Sequence, residues 1–200
     1  EAHREAFSSL TIPFVLAAQQ ADGVSCVYYD DYGAAYALTN LLLDKGSAIG
    51  YIGVREDDKA AGYNRKHGFL AALNERGIRF DPSYGEVALF SMQSGYEQAS
   101  ELFARHPEID SLFCATDHIA AGALLYLKGA GKSVPEQVRV AGVGDGKISR
   151  VTSPTLTSAH LYYNECGKKA AQILLERIAG EVPVQEIRLG YQIVERESTR

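Results

Sequence analysis

Five short polar stretches carry the side chains of this sequence that could do chemistry. They are Asp30-Asp31, the run Arg55-Glu56-Asp57-Asp58-Lys59 with Arg65 shortly after it, Ser91-Met92-Gln93-Ser94, Thr116-Asp117-His118, and Gly144-Asp145-Gly146-Lys147. Adjacent carboxylates such as Asp30 and Asp31 can bind a metal or exchange protons. One of them is equally suited to cap the next helix and favour its positive end, and that is the stronger expectation. A phosphoryl receiver would need a further isolated Asp and a Lys at successive strand ends, which Thr116-Asp117 and Lys147 imitate only loosely. Arg65 offers a planar five-donor group that suits vicinal hydroxyls or a phosphate, with a surface ion pair as its alternative role. Phe90 and Phe113 are core candidates that, beside polar groups, could also stack on the apolar face of a sugar.

Other chemistries lack their signatures. His3, His67, His106, His118 and His160 are dispersed, and Cys26, Cys114 and Cys166 form no Cys-x-x-Cys pair. No metal site and no cofactor are therefore expected. There is no Gly-x-Ser-x-Gly elbow, Walker loop or dinucleotide fingerprint; Gly142-x-Gly144-x-Gly146 has the wrong spacing and reads as a flexible turn.

Elements that must position these residues follow from the hydrophobic pattern. Strand-like runs occur at Ile12 to Leu16, Val24 to Tyr29, Ile49 to Val54, Glu86 to Leu89, Leu112 to Ala115 and Val138 to Val143. Helical patterns run from Tyr32 to Lys45, Gly62 to Arg76, Gly95 to Arg105 and Ile119 to Gly129, with a helix remnant expected over residues 1–9. Gly46 is expected to end its helix in a left-handed cap. Strands alternating with helices of this length specify an α/β fold with a parallel sheet covered on both faces. The remainder holds a loop at Ser153-Pro154-Thr155, a helix from Asn164 to Ala179, and strand-like runs at Glu186 to Leu189 and Gln192 to Val194. That tail is too short for a new domain and is expected to complete sheets already started. In open parallel sheets ligands sit beyond the carboxyl ends of the strands, where the five polar stretches lie.

The chain has 200 residues, 46% hydrophobic, with a formal net charge of -5. That is enough for one large domain or two lobes with cores of their own. The acidic balance argues against a surface that grips a phosphate backbone. No apolar run is long enough for a membrane helix. Three scattered cysteines suit a reduced, cytoplasmic setting. The chain opens at Glu1 and its one methionine is Met92, so a fragment or processed product is expected.

Ile12-Pro13-Phe14-Val15, Val27-Tyr28-Tyr29-Asp30-Asp31-x-Gly33-Ala34 and Tyr51-Ile52-Gly53 stand at the head of an ordered set of strings. Arg65-Lys66-His67-Gly68-Phe69, Ser94-Gly95-Tyr96, Phe113-Cys114-Ala115-Thr116-Asp117-x-x-Ala120-x-Gly122-Ala123, Val134-Pro135 and Pro154-Thr155-Leu156-Thr157 follow. In this order and spacing the set resembles the effector-binding domain of the lac/galactose repressor family, over essentially the whole chain. Within that family it is most similar to the sucrose and trehalose operon branches.

The resemblance implies a periplasmic-binding-protein-like α/β fold of two doubly wound parallel-sheet lobes with multiple crossovers, the first lobe truncated at its N-terminus. Residues 1–29 and 160–182 would belong to a DNA-proximal lobe, and 30–159 and 183–200 to a distal one. A DNA-binding headpiece that contacts operator DNA would precede Glu1. The implied function is sensing of a small sugar or sugar phosphate in a cleft between lobes, with no catalysis, in a homodimer with no membrane association. By the same resemblance Arg65 matches the arginine that clamps ligand hydroxyls, Phe90 and Phe113 the aromatic floor, and Thr116 and Asp117 a polar pair after a strand. Gly144 departs from the aspartate many members carry there, which implies either that Asp145 takes its place or that the ligand differs; Asp58 and Asp30 complete the expected ligand set. A periplasmic sugar-binding protein shares the fold, and a glycoside-processing enzyme using Asp30, Asp58 and Asp145 is the alternative of a different class.

Overall fold

The computed structural model describes residues 12–180 and 182–200; the expected helix over residues 1–9 lies outside them. The chain forms two compact units. One takes the chain up to Tyr29 together with Tyr162–Leu189, and the other takes Asp30–Leu161 with Gly190–Arg200, so the chain passes between them three times.

The smaller unit holds a parallel three-stranded sheet in the order β1 (Leu16–Ala17), β2 (Cys26–Tyr29) and β8 (Glu186–Leu189). A helix, α6 (Tyr163–Ala179), packs on it through Cys166 and Ile173, and the Cys166 thiol donates to the Val27 carbonyl at 3.4 Å. Residues 183–189 were expected in the other lobe. They fall here because β8 pairs along its length with β2, from Cys26 opposite Glu186 to Tyr29 opposite Leu189. Residues 160 and 161, expected here, end a strand of the larger sheet.

The larger unit contains β3 (Ile49–Gly53), β4 (Gly85–Val87), β5 (Ser111–Cys114), β6 (Arg139–Gly144), β7 (Thr157–Leu161) and β9 (Tyr191–Val194). Their order is β4-β3-β5-β6-β7-β9, parallel except for β9 at the edge. Helices α1 (Asp31–Leu43), α2 (Arg65–Glu75), α3 (Met92–Arg105), α4 (Asp117–Gly129) and the short α5 (Lys147–Val151) connect the strands. Strands buried on both faces read as continuous apolar runs, which is why β3 and β5 are legible in sequence. On one face Tyr51 and Phe113 stack with centroids 5.6 Å apart and meet Phe69 of α2. On the other, Ile52, Leu112, Cys114 and Val140 join Leu102, Phe103, Ile119 and Leu127 of α3 and α4 in the main core.

Three local expectations change. Gly46 has no left-handed φ; the helix ends in ordinary geometry at Asp44, and Gly46 is needed because a Cβ there would lie 2.0 Å from the Ser111 hydroxyl. Gly142 and Gly144 are strand residues of β6 rather than a flexible turn. The strand β7 and helix α5 fall where a loop and no element were expected, since Thr157-Ser158-Ala159-His160-Leu161 lacks a clear apolar alternation.

Candidate functional site

The strand order places β3 between β4 and β5, so the chain leaves β3 in one direction for β4 and returns past it to β5. That reversal is a topological switch point, and the loops leaving adjacent strands there diverge and open a crevice at their carboxyl ends. The residues that follow β3 and β5 therefore border the crevice.

Most of the polar residues at these strand ends cap helices. The Asp30 carboxylate accepts from Gly33 N at 3.1 Å, Asp58 from Ala61 N at 2.9 Å, Ser91 from Ser94 N at 3.2 Å, and Thr116 from Ile119 N at 3.3 Å. Each takes one of the unpaired N–H groups of a first helical turn. Asp58 also opens a wide turn, its carbonyl accepting from both Gly62 and Tyr63, that carries the chain into α2. Such wide turns recur at functional sites because they re-aim the residues behind them. Here the residue behind is Arg65, the first of α2.

Arg65 is buried at the switch point. Its Nε donates to Asp31 Oδ1 at 2.8 Å, Nη2 lies 2.7 Å from the same oxygen, and Nη1 donates to the Ala115 carbonyl, just past β5, at 2.6 Å. The side chains of Arg65 and Asp31 are 10% and 2% exposed. Burial pushes the Asp31 carboxyl above its ordinary value, and the guanidinium beside it pulls it back part of the way. One arginine thus links α1, α2 and the end of β5.

A second polar cluster lies beyond β6. Asp145, at φ 51, is one of only two non-glycine residues with a left-handed backbone among the described residues. Its carboxylate accepts from Arg196 Nη2 at 2.6 Å and Ser149 Oγ at 3.2 Å, with Arg150 at 3.4 Å and His160 Nδ1 at 3.1 Å. Burial opposes its ionisation, but the hydrogen bond and charge of Arg196 hold the carboxyl below its ordinary value. Asp117 accepts from Ser158 Oγ at 2.5 Å and Gly146 N at 2.8 Å, which ties the β6–α5 turn to α4. Here burial dominates and raises the carboxyl.

Of the aromatic pair, Phe90 follows β4 and is 57% exposed, whereas Phe113 is fully buried against Tyr51 and Phe69. Phe113 therefore belongs to the packing between the sheet and α2 and presents no surface of its own. The role of Asp31 as the partner of Arg65, and the places of Tyr51, Ser158 and Arg196 in these clusters, were not legible in the sequence. Asp31 was visible as half of an acidic pair; nothing local marks the others.

This arrangement, a doubly wound sheet with capped loops converging at its switch point and a chain that passes three times between two units, defines an α/β domain of the solute-binding kind. The family described as periplasmic binding protein-like domain matches residues 39–199, and the chain belongs to it. Its relatives are LacI-family transcriptional regulators. It is 31% identical over 181 residues to the HTH-type transcriptional regulator RegA of Clostridium saccharobutylicum, covering 89% of this chain and 54% of that protein. The structure of a transcriptional regulator CelR–cellobiose complex superposes with TM-score 0.85 at 30% identity, covering 90% of this chain and 55% of that one. A LacI family transcriptional regulator from Enterococcus faecium with bound ribose superposes with TM-score 0.86 at 29% identity, covering 94% and 70%. The chain spans about half the length of the curated relatives it matches. These relatives are transcription regulators, not enzymes.

Proposed function

We propose that this chain is the effector-binding part of a cytoplasmic, sugar-responsive transcription repressor, and that the sugar docks at the carboxyl-end crevice of the larger unit. The observation that carries this reading is Arg65, buried at the switch point and held by Asp31 and the Ala115 carbonyl. These contacts engage all three of its nitrogens yet leave an N–H on each of the two terminal ones, and those meet the hydroxyls of a saccharide. Asp58 and Thr116 each keep acceptor capacity beyond the cap bond, Asp30 caps the helix that carries Asp31, Asp117 and Asp145 shape the neighbouring loops, and the exposed Phe90 ring offers a stacking face. Relatives solved with cellobiose and with ribose support a saccharide as the ligand class.

Control of DNA binding is a population shift. A sugar moves a two-state equilibrium only by its differential affinity, so a hundredfold change in operator affinity needs a difference of roughly 2.7 kcal/mol. DNA contact belongs to a headpiece outside this chain, consistent with its net charge of -5. Exposed Leu125 on α4 and exposed Leu175 and Ile178 on α6 supply apolar helix surface in both units for a homodimer.

The test is a thermal-shift screen of the intact protein against cellobiose, ribose, sucrose, fructose, fructose phosphates, trehalose 6-phosphate and purine bases. A ligand at a hundred times its Kd stabilises by about 2.7 kcal/mol. Arg65→Lys keeps the charge and loses the planar fork, so it is expected to abolish the shift. A purine as the only hit, or a sugar shift untouched in Arg65→Lys, would overturn the reading.

A further inference from the structure

Beside the crevice, the Tyr51 side chain lines a cavity of about 250 Å³ with Val54, Arg55, Glu56, Asp57 and Lys66. Tyr51 is 4% exposed, and its hydroxyl finds no hydrogen-bond partner among the described residues. Leaving a buried hydroxyl unpaired costs free energy, so such a group calls for a partner that arrives from outside the fold. The position of the hydroxyl is fixed. The ring is held between Phe69 and Phe113, and its far end lies over Gly53, where a Cβ would stand 2.5 Å from the phenolic oxygen. Gly53 is the last residue of β3, so the hydroxyl reaches the start of the loop that carries Val54, Arg55, Glu56 and Asp57. Burial pushes the phenol above its ordinary value, and the protonated hydroxyl is able both to donate and to accept.

The charges around the cavity cancel. Arg55 pairs with Asp57 at 2.9 Å and Lys66 with Glu56 at 2.5 Å. Next to it Arg65 is already paired with Asp31. A phosphate would bring net negative charge to a lining whose cations are each already matched by a carboxylate, whereas a hydroxyl needs only a donor and an acceptor. A water's share of liquid volume is about 30 Å³, so the space fits a hydroxymethyl group or one further sugar ring.

We propose that this cavity is a subsite for an uncharged hydroxyl-bearing part of the effector, with Tyr51 as its hydrogen-bonding residue, and that the effector is a neutral saccharide rather than a sugar phosphate. This rests on the sugar-sensing function proposed above. The experiment follows the Tyr51 ring resonance in 13C-tyrosine-labelled intact protein, assigned with Tyr51→Phe. Cellobiose, sucrose, trehalose and ribose are titrated beside glucose 6-phosphate and trehalose 6-phosphate, and affinities are measured calorimetrically for wild type and Tyr51→Phe. The expected result is that a neutral sugar binds and shifts the Tyr51 resonance, and that Tyr51→Phe weakens it about tenfold while folding at least as stably. A neutral sugar that binds both proteins equally and leaves the resonance unmoved overturns the subsite and leaves the sugar-sensing function standing. Binding of the phosphorylated sugars alone overturns the neutral effector. Binding of none overturns the sugar-sensing function and this inference with it.

Discussion

Arg65 and Asp31 make the most consequential pair in the chain, because each is buried and neither can be left alone. Removing one partner of a buried, hydrogen-bonded ion pair strands the other charge and costs about 3–5 kcal/mol. Arg65→Ala is therefore expected to lower stability by that order in urea melts. Two other buried carboxylates respond to pH in opposite senses. Asp145 is held below its ordinary value, so its ionisation stabilises the fold above the usual carboxylate range and that contribution is lost as pH falls through the folded value. Asp117 is raised, so its ionisation costs stability, and the cost disappears as pH falls through its folded value. The destabilisation caused by Asp145→Asn should thus shrink between pH 7 and pH 3, while that of Asp117→Asn should grow. Denaturant melts across that range decide it, and parallel trends would refute the assignment.

Helices α3 and α4 approach closely enough that one hydrogen atom is all the space allows at Gly122. A Cβ there would sit 2.0 Å from the Met92 carbonyl oxygen and 2.6 Å from Tyr96 N, both backbone atoms. Alanine gains about 1 kcal/mol of helix propensity over glycine, but overpacking against backbone costs typically 1–3 kcal/mol or more. The clash wins, and Gly122→Ala is expected to destabilise. Gly129, in the last turn of the same helix, has nothing within 4 Å of its would-be Cβ. There the propensity term stands alone, so Gly129→Ala should stabilise by a fraction of a kcal/mol, up to about 1. Differential scanning calorimetry of the two variants gives shifts of opposite sign if the helix contact is as described.

For the molecule as a whole, the proposed repressor requires that apolar helix surface in both units be covered. Leu175 and Ile178 of α6 are among the most exposed large apolar side chains described. Light scattering of the intact protein at micromolar concentration is expected to return a dimer. Replacing Leu175 and Ile178 together by Ser should shift it toward monomer without unfolding it, since neither contributes to the sheet packing made by Cys166 and Ile173. A wild-type monomer under these conditions would remove the dimer from the proposal.

How far the sequence alone reaches can be seen residue by residue. Alternation of apolar runs with amphipathic stretches announced the α/β sheet, because strand and helix periods depend on neighbours within a few positions. The caps at Asp30, Asp58, Ser91 and Thr116 are local in the same way, each spanning three residues. Arg65 could be singled out as the arginine of the crevice, but its partner could not. Choosing Asp31, 34 positions away, depends on how α1 and α2 pack, which no short window contains. Phe113 and Phe90 look alike as aromatics at strand ends, yet one is fully buried and the other open to solvent, since exposure is set by what the rest of the chain lays over each strand. Asp145 was legible as a polar residue after a strand, but its ion pair with Arg196, 51 residues on, was not. The pairing of β8 with the small sheet and the unpartnered Tyr51 hydroxyl follow the same rule: patterns of period and cap are written locally, whereas partners, burial and cavities exist only once distant strand ends have converged.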